Sequence, residues 1–302
     1  MTLISMLIAL IVERLAVRSP AWQLVSYVRP YLRYSKAGLL ATLMSHQAGV
    51  VLWWLLPAIA VTILLVLADF WLVTLLVNTV VLLLCMGCWH YRQLYKQYLN
   101  AAERQDQEAA YLVMQQISQQ SGMVSDDLTH GERLIWLNFK YYAAVLFWFA
   151  VLGAFGALCY AMLRQLAEPV TYPQPDAPAD VMATEDNSSQ PADAALAMQQ
   201  QLQGFAIEMS HWADWLPVRL FGLGLALVGH FSRASAALIS YLVDSSTPAE
   251  IVLADIARAA EPLPDEQRNC SAESCSLVQL SKRNILFFLA IVAVLTLSGL
   301  LS

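Results

Sequence analysis

Apolar residues in this chain fall in long uncharged blocks, not at the two-residue spacing of strands. Ala48–Ala68 and Phe70–Trp89 are two such blocks with only Asp69 between them, each close to the ~20 residues a straight membrane-spanning helix needs. They predict a tight hairpin of spans. Tyr141–Leu163 carries no charge and reads as the clearest span, and Asn284–Ser302 predicts a last one behind Lys282-Arg283. Met1–Val12 is a short first helix, read as a retained anchor because Glu13-Arg14 follows without a small-residue cleavage site. Leu220–Gly229 is short enough to be re-entrant or buried; extended to Trp212–Phe231 it becomes a crossing, which the basic pair Lys282-Arg283 requires if it stands on the cytoplasmic side. The fold class is therefore all-α, a polytopic transmembrane helical bundle in one domain, 1–302, with spans at 1–12, 48–68, 70–89, 141–163, 212–231 and 284–302.

Between the blocks the spacing becomes amphipathic. Tyr98, Ala102, Ala109, Leu112, Val113, Gln116 and Ile117 recur at roughly helical intervals among Glu103, Arg104, Asp106 and Glu108, predicting a cytoplasmic helix lying against the bundle. Ser121-Gly122 should end it, and Asp126-Asp127 or Thr129 should cap the helix that follows. Ile251–Ala260 is a second amphipathic stretch, started by Thr247-Pro248. A helical pattern resumes over Ala194–Trp215. Within the apolar blocks, Pro57 can kink its helix, Asn78 can bond across helices, and Gly153 and Gly156 allow close packing.

Composition settles the class: 58% hydrophobic and 13% charged residues describe an integral membrane protein, against about 25% charged for a soluble domain. A formal charge of -6 argues against a nucleic-acid partner. The distribution of charge sets orientation. Glu13–His46 holds Arg14, Arg18, Arg29, Arg33 and Lys36 against one acid, with Trp22, Tyr27, Tyr31 and Tyr34 among them, as at a cytoplasmic membrane interface. Residues 168–193 hold six acids and no Lys or Arg, which predicts a flexible loop on the other side. The expected topology has both termini outside and Glu13–His46, His90–Lys140 and Ser232–Ser281 inside. Five cysteines make no disulfide framework; Cys85-Met-Gly-Cys88 in an apolar helix reads as packing, and Cys270 and Cys275 as free thiols.

Candidate chemistry gathers at Asp214-Trp215-Leu216-Pro217-Val218-Arg219-Leu220, where an acid, an indole, a helix-starting proline and an arginine meet an apolar run. An arginine there should face a polar cavity holding an anion, or pair with a carboxylate of another helix. Asn138, at the entry of an uncharged span, either packs between helices or lines a pocket. There is no Walker A sequence, no phosphate-binding glycine loop and no metal-spaced His or carboxylate pair. No cofactor is named by the residues.

Three blocks resemble the AmpE family of inner-membrane proteins: Leu10-Ile11-Val12-Glu13-Arg14-Leu15; Leu134-Ile135-Trp136-Leu137-Asn138-Phe139-Lys140-Tyr141-Tyr142 leading to Leu146-Phe147-Trp148; and Asp214 to Leu220 with Gly229-His230. The resemblance implies a multi-pass protein of the bacterial inner membrane, surrounded by lipid. It implies a signalling role linked to cell-wall stress and β-lactamase induction, with a protein partner met through the cytoplasmic helices. AmpE is in turn similar to the CobD/CbiB membrane synthases of cobalamin biosynthesis, whose Pro-Ala-Arg-Leu resembles Pro217-Val218-Arg219-Leu220. Their Glu-Asn before an acid falls at Leu137-Asn138, their Pro-Leu-Phe-Trp at Val145 to Trp148, and their Gly-Arg-Asp-Thr is echoed loosely at Arg104-Gln105-Asp106. This implies a small anionic ligand held by Arg219, Asn138, Arg104, Asp106 and Asp214. The synthases' carboxylates are missing at the matching positions, so the expectation is a non-catalytic modulator with a relict pocket; the alternative is a synthase acting on an anionic or phosphorylated substrate.

Overall fold

The computed structural model describes residues 2–15, 22–35, 47–68, 70–87, 89–123, 125, 127–168, 189–262 and 271–299. Those residues form helices and connecting turns, with no strand among them. Cys88, Cys270, Asp126 and most of the acidic loop lie outside the described residues. The helices are α1 (Thr2–Leu15), α2 (Val25–Ser35), α3 (Gln47–Ala68), α4 (Trp71–Cys85), α5 (Trp89–Glu103), α6 (Gln107–Ser121) and α7 (His130–Asn138). They continue with a π-helical turn, Phe139–Ala143, then α8 (Ala144–Ala167), α9 (Ser189–Val228), α10 (Phe231–Tyr241), α11 (Ala249–Ala260) and α12 (Ser271–Leu297).

Three stretches are long and apolar enough to cross a membrane: Gly49–Leu67, His130–Ala167 and Ser271–Leu297. A fourth exists if α4 and α5, bent by 46° at the break between them, count as one. The boundaries differ from the expected ones for physical reasons. α1 runs past 1–12 to Leu15 because Glu13 is buried and paired. The 70–89 block stops at Cys85, a helix of 15 residues. Residues 212–228 are the end of a 40-residue helix that begins at Ser189, inside the expected loop, and continues through Pro217, whereas Phe231 starts α10. Pro217 is thus internal, where it removes one hydrogen bond of the ladder, and does not start the helix. The predicted helix over Tyr98–Ile117 is two helices, split at Arg104-Gln105-Asp106, where Gln105 has φ 59°. Gly122 in the left-handed region ends α6, and Thr129 caps α7 in a capping box with Glu132.

The largest departure lies in the stretch read as the clearest span. Gly153 has φ 63° and ψ -151°, outside any helical region, and here the chain reverses. A straight helix would hold Lys140 and Arg164 about 36 Å apart; instead Arg164 Nη1 donates to the Lys140 carbonyl at 3.1 Å. Tyr141 likewise donates its hydroxyl to Glu168 at 2.7 Å. Residues 139–152 and 154–167 are two arms, each ~20 Å long, of one helical hairpin. Gly156 fits the arms together: a Cβ there would lie 2.5 Å from the Trp148 carbonyl oxygen and 2.7 Å from Leu152 Cβ. Most of both arms is buried, with Val151 and Leu152 exposed at the tip. An irregular backbone in an apolar setting is tolerated when protein surrounds it, and α3, α4 and α9 pack around this hairpin.

α7 packs on α11 and α12, α9 packs also on α10, α11 and α12, and α1 packs on α4. Asn284 of α12 donates to the Phe221 carbonyl of α9 at 2.8 Å, against Gly224, whose missing side chain admits it.

Candidate functional site

The polar side chains buried at the foot of the hairpin form the candidate site. Lys140 and Tyr141 come from the π-helical turn, Tyr160, Arg164 and Glu168 from the returning arm, and Asp214 from α9. The Lys140 ammonium lies 3.4 Å from Glu168 Oε1 and donates to the Ser121 carbonyl at the end of α6 at 3.0 Å. Arg164, 2% exposed, spans three elements: it donates to the Lys140 carbonyl, donates to the Cys85 carbonyl at the end of α4 at 2.8 Å, and lies over the Tyr141 ring at 3.9 Å. Both carbonyls sit where helical hydrogen bonding is interrupted, at a π-turn and a C-terminus, so the guanidinium supplies donors that the backbone lacks. Tyr160 donates to Asp214 at 2.8 Å, tying α9 to the returning arm. Two buried atoms, Arg164 Nε and Glu168 Oε2, have no hydrogen-bond partner among the described residues.

Beside this cluster, Glu13 at the end of α1 is 4% exposed. It accepts from Arg92 at 2.7 Å and from the Tyr142 hydroxyl at 2.7 Å, while Arg92 also donates to that hydroxyl. Consecutive tyrosines of the π-turn thus serve two carboxylates, Tyr141 Glu168 and Tyr142 Glu13. A third buried acidic group stands further out, where Thr129 donates to Glu273 at 2.6 Å and Arg258 to Glu132 at 2.8 Å.

The five residues expected to share a ligand play separate parts. Asp214 is buried on Tyr160. Arg219 is buried too, but meets neither Asp214 nor another carboxylate directly: Nε donates to the Leu242 carbonyl at 3.2 Å, Nη1 to that of Trp215 at 2.7 Å and Nη2 to that of Asp244, with the guanidinium 4.2 Å from the Trp215 ring centroid. It clamps the turn after α10 to α9. Asn138 bonds back to the Leu134 carbonyl of its own helix at 2.9 Å. Arg104 and Asp106 are exposed at the α5–α6 turn, where Asp106 accepts from Ala109 N–H as the cap of α6. The network residues Lys140, Arg164 and Glu168 were missed because they stood at the supposed ends of a straight span. The signal that could have found them is Gly153 at its middle. No group of His, Cys, Asp or Glu among the described residues is arranged to hold a metal.

A family model, "Regulatory signalling modulator protein AmpE", matches residues 1–179 and 190–302. The chain is 30% identical to Protein AmpE of Shigella flexneri over 318 aligned residues, covering all of both chains. No solved structure matches.

Proposed function

The chain belongs to the AmpE family of regulatory signalling modulators, and from that premise we propose that it is a multi-pass bacterial inner-membrane protein that passes an envelope signal to its cytoplasmic helices. The signal is the one linked to cell-wall stress and β-lactamase induction, and the protein carries out no reaction of its own. The observation that supports this is the network at the hairpin foot. A cation and a carboxylate buried among apolar helices are costly to keep there. Here Arg164 joins the hairpin to α4 through the Cys85 carbonyl, Lys140 joins it to α6 through the Ser121 carbonyl, and Tyr160 joins it to α9 through Asp214. A change in the seating of the hairpin therefore moves α4, α6 and α9 together. The synthase reading has less support, since Arg104 and Asp106 stand at an exposed turn and the donors of Arg219 are engaged by backbone carbonyls.

The test is β-lactamase induction in cells carrying Lys140→Met/Glu168→Gln. This double change removes both charges of the Lys140–Glu168 pair and leaves Arg164 on its two backbone carbonyls. Altered induction, with normal amounts of protein in the membrane, is the expected result. Unchanged induction would contradict the proposal.

A further inference from the structure

Resting on that reading of a movable hairpin, we propose that the foot of the hairpin is a proton-binding site, where Asp214 takes up a proton from water and thereby loosens α9 from the returning arm. Asp214 is buried on α9, outside the three stretches of spanning length. Three other buried carboxylates each stand within ion-pair distance of a cation: Glu13 of Arg92 at 2.6 Å, Glu132 of Arg258 at 2.7 Å and Glu168 of Lys140 at 3.4 Å. Asp214 makes no ion pair among the described residues, and its hydrogen-bond donor there is a neutral hydroxyl, that of Tyr160 at 2.8 Å. Burial disfavours the charged form of a carboxyl group, and only cations and donors offset that cost.

The cations whose charge reaches Asp214 are Lys140, His211 and Arg164, and each gives its hydrogen bonds elsewhere. Arg164 donates to the Lys140 and Cys85 carbonyls, Lys140 turns to Glu168 and the Ser121 carbonyl, and His211 Nε2 donates to the Ser245 carbonyl at 2.8 Å. Glu168, on the returning arm, is the second acid of the cluster, and its Oε2 accepts no hydrogen bond among the described residues. The turn after α10 brings Asp244, whose carboxylate accepts from Ser246 and Thr247, beside Arg219. α3, which meets α9 where Trp54 packs on Phe205, carries no titratable side chain. α10, α11 and α12 meet α9 further along, at Phe221, Gly222 and Gly224. With Lys140 and Arg164 positive and Glu168 and Asp214 negative, the cluster is neutral. A proton on Asp214 leaves one positive charge in excess and turns the Tyr160 bond from a charge-assisted one into a neutral one of about half the strength. Acid thus unseats α9 from the returning arm.

Full-length protein in lipid nanodiscs, without native cysteines and spin-labelled at Val151→Cys and Ile207→Cys, both exposed positions, gives the distance between the hairpin tip and α9 by pulsed dipolar spectroscopy. Acidification from about pH 8 to about pH 5, a range in which buried carboxyl groups titrate, should lengthen it by about 2 Å. Asp214→Asn, which mimics the neutral acid, should hold the longer distance at both pH values. Tyr160→Phe should keep the transition and move its midpoint up by about one pH unit, because a donor to the charged form is lost. A distance indifferent to pH overturns the proposal, and so does an equal pH response in Asp214→Asn. Should Asp214→Asn not fold, Tyr160→Phe decides, and an unmoved midpoint overturns it. The signalling role is judged separately. Induction altered by Lys140→Met/Glu168→Gln, with a distance indifferent to pH, keeps that role and rejects the proton site; a pH response lost in Asp214→Asn, with unchanged induction, does the reverse.

Discussion

Arg219 and Arg164 show how one residue type takes different work from its neighbours. The sequence marks Arg219, beside a proline and an indole, and leaves Arg164 unremarked near the end of an apolar block; the structure places Arg164 at the meeting point of three elements. No local spacing reveals this, because the partners of Arg164 lie 24 and 79 residues away. Arg164→Gln should lower stability by several kcal/mol, as charge-assisted hydrogen bonds are lost and buried acceptors are left unmade, read as thermal unfolding in detergent. Arg219→Lys should cost roughly 2 kcal/mol, since an ammonium cannot hold three carbonyls in the geometry of a guanidinium. Inorganic phosphate should shift the melting temperature of neither Arg219→Lys nor the unaltered protein; a shift confined to the latter would restore Arg219 as an anion ligand. The turn that Arg219 clamps also carries a pH signature. Hydrogen bonds from the Thr247 and Ser246 hydroxyls and from Ser246 N–H hold the Asp244 carboxyl well below the usual carboxylate range. A folded-state pKa below the unfolded value contributes stability above the unfolded value and loses it as pH falls towards the folded one. The melting temperature should therefore fall more steeply on acidification in the unaltered protein than in Asp244→Asn.

Helix existence was legible in the periodicity, whereas helix ends and breaks depended on tertiary partners. Gly122 and Thr129 bound their helices as their residue types require. Pro217 does not, because packing of α9 against α10, α11 and α12 carries the helix across it. The hairpin was hidden for a related reason: Tyr141–Leu163 contains no charge and no proline, so only its glycines distinguish two packed arms from one rod. Those glycines can be compared directly. Gly153→Ala places a side chain at φ 63°, ψ -151° and should cost about 1–3 kcal/mol. Gly156→Ala drives a Cβ to 2.5 Å from the Trp148 carbonyl oxygen and should be at least as harmful. Gly204→Ala, in a helix with nothing within 4 Å, should instead stabilise by roughly 0.5–1 kcal/mol. Thermal unfolding of the three variants checks the order, and a tolerated Gly156→Ala would count against close contact of the arms.

For the whole molecule, composition alone specified an all-α membrane protein, but the number of crossings depends on whether apolar length is spent in a straight helix or a hairpin. Counting Tyr141–Leu163 as one crossing puts its ends on opposite faces, yet Glu168 lies beside Lys140 and Tyr141. The chain leaves the hairpin on the side where it entered, and the buried charges meet because it does. The direct test is a pair of spin labels at Asn138→Cys and Gln165→Cys in a variant without native cysteines, with the distance measured by pulsed dipolar spectroscopy in lipid. Paired arms predict backbones about 10 Å apart and a correspondingly short label distance; a distance near the ~40 Å of an unbroken helix would contradict the hairpin and the charge network built at its foot.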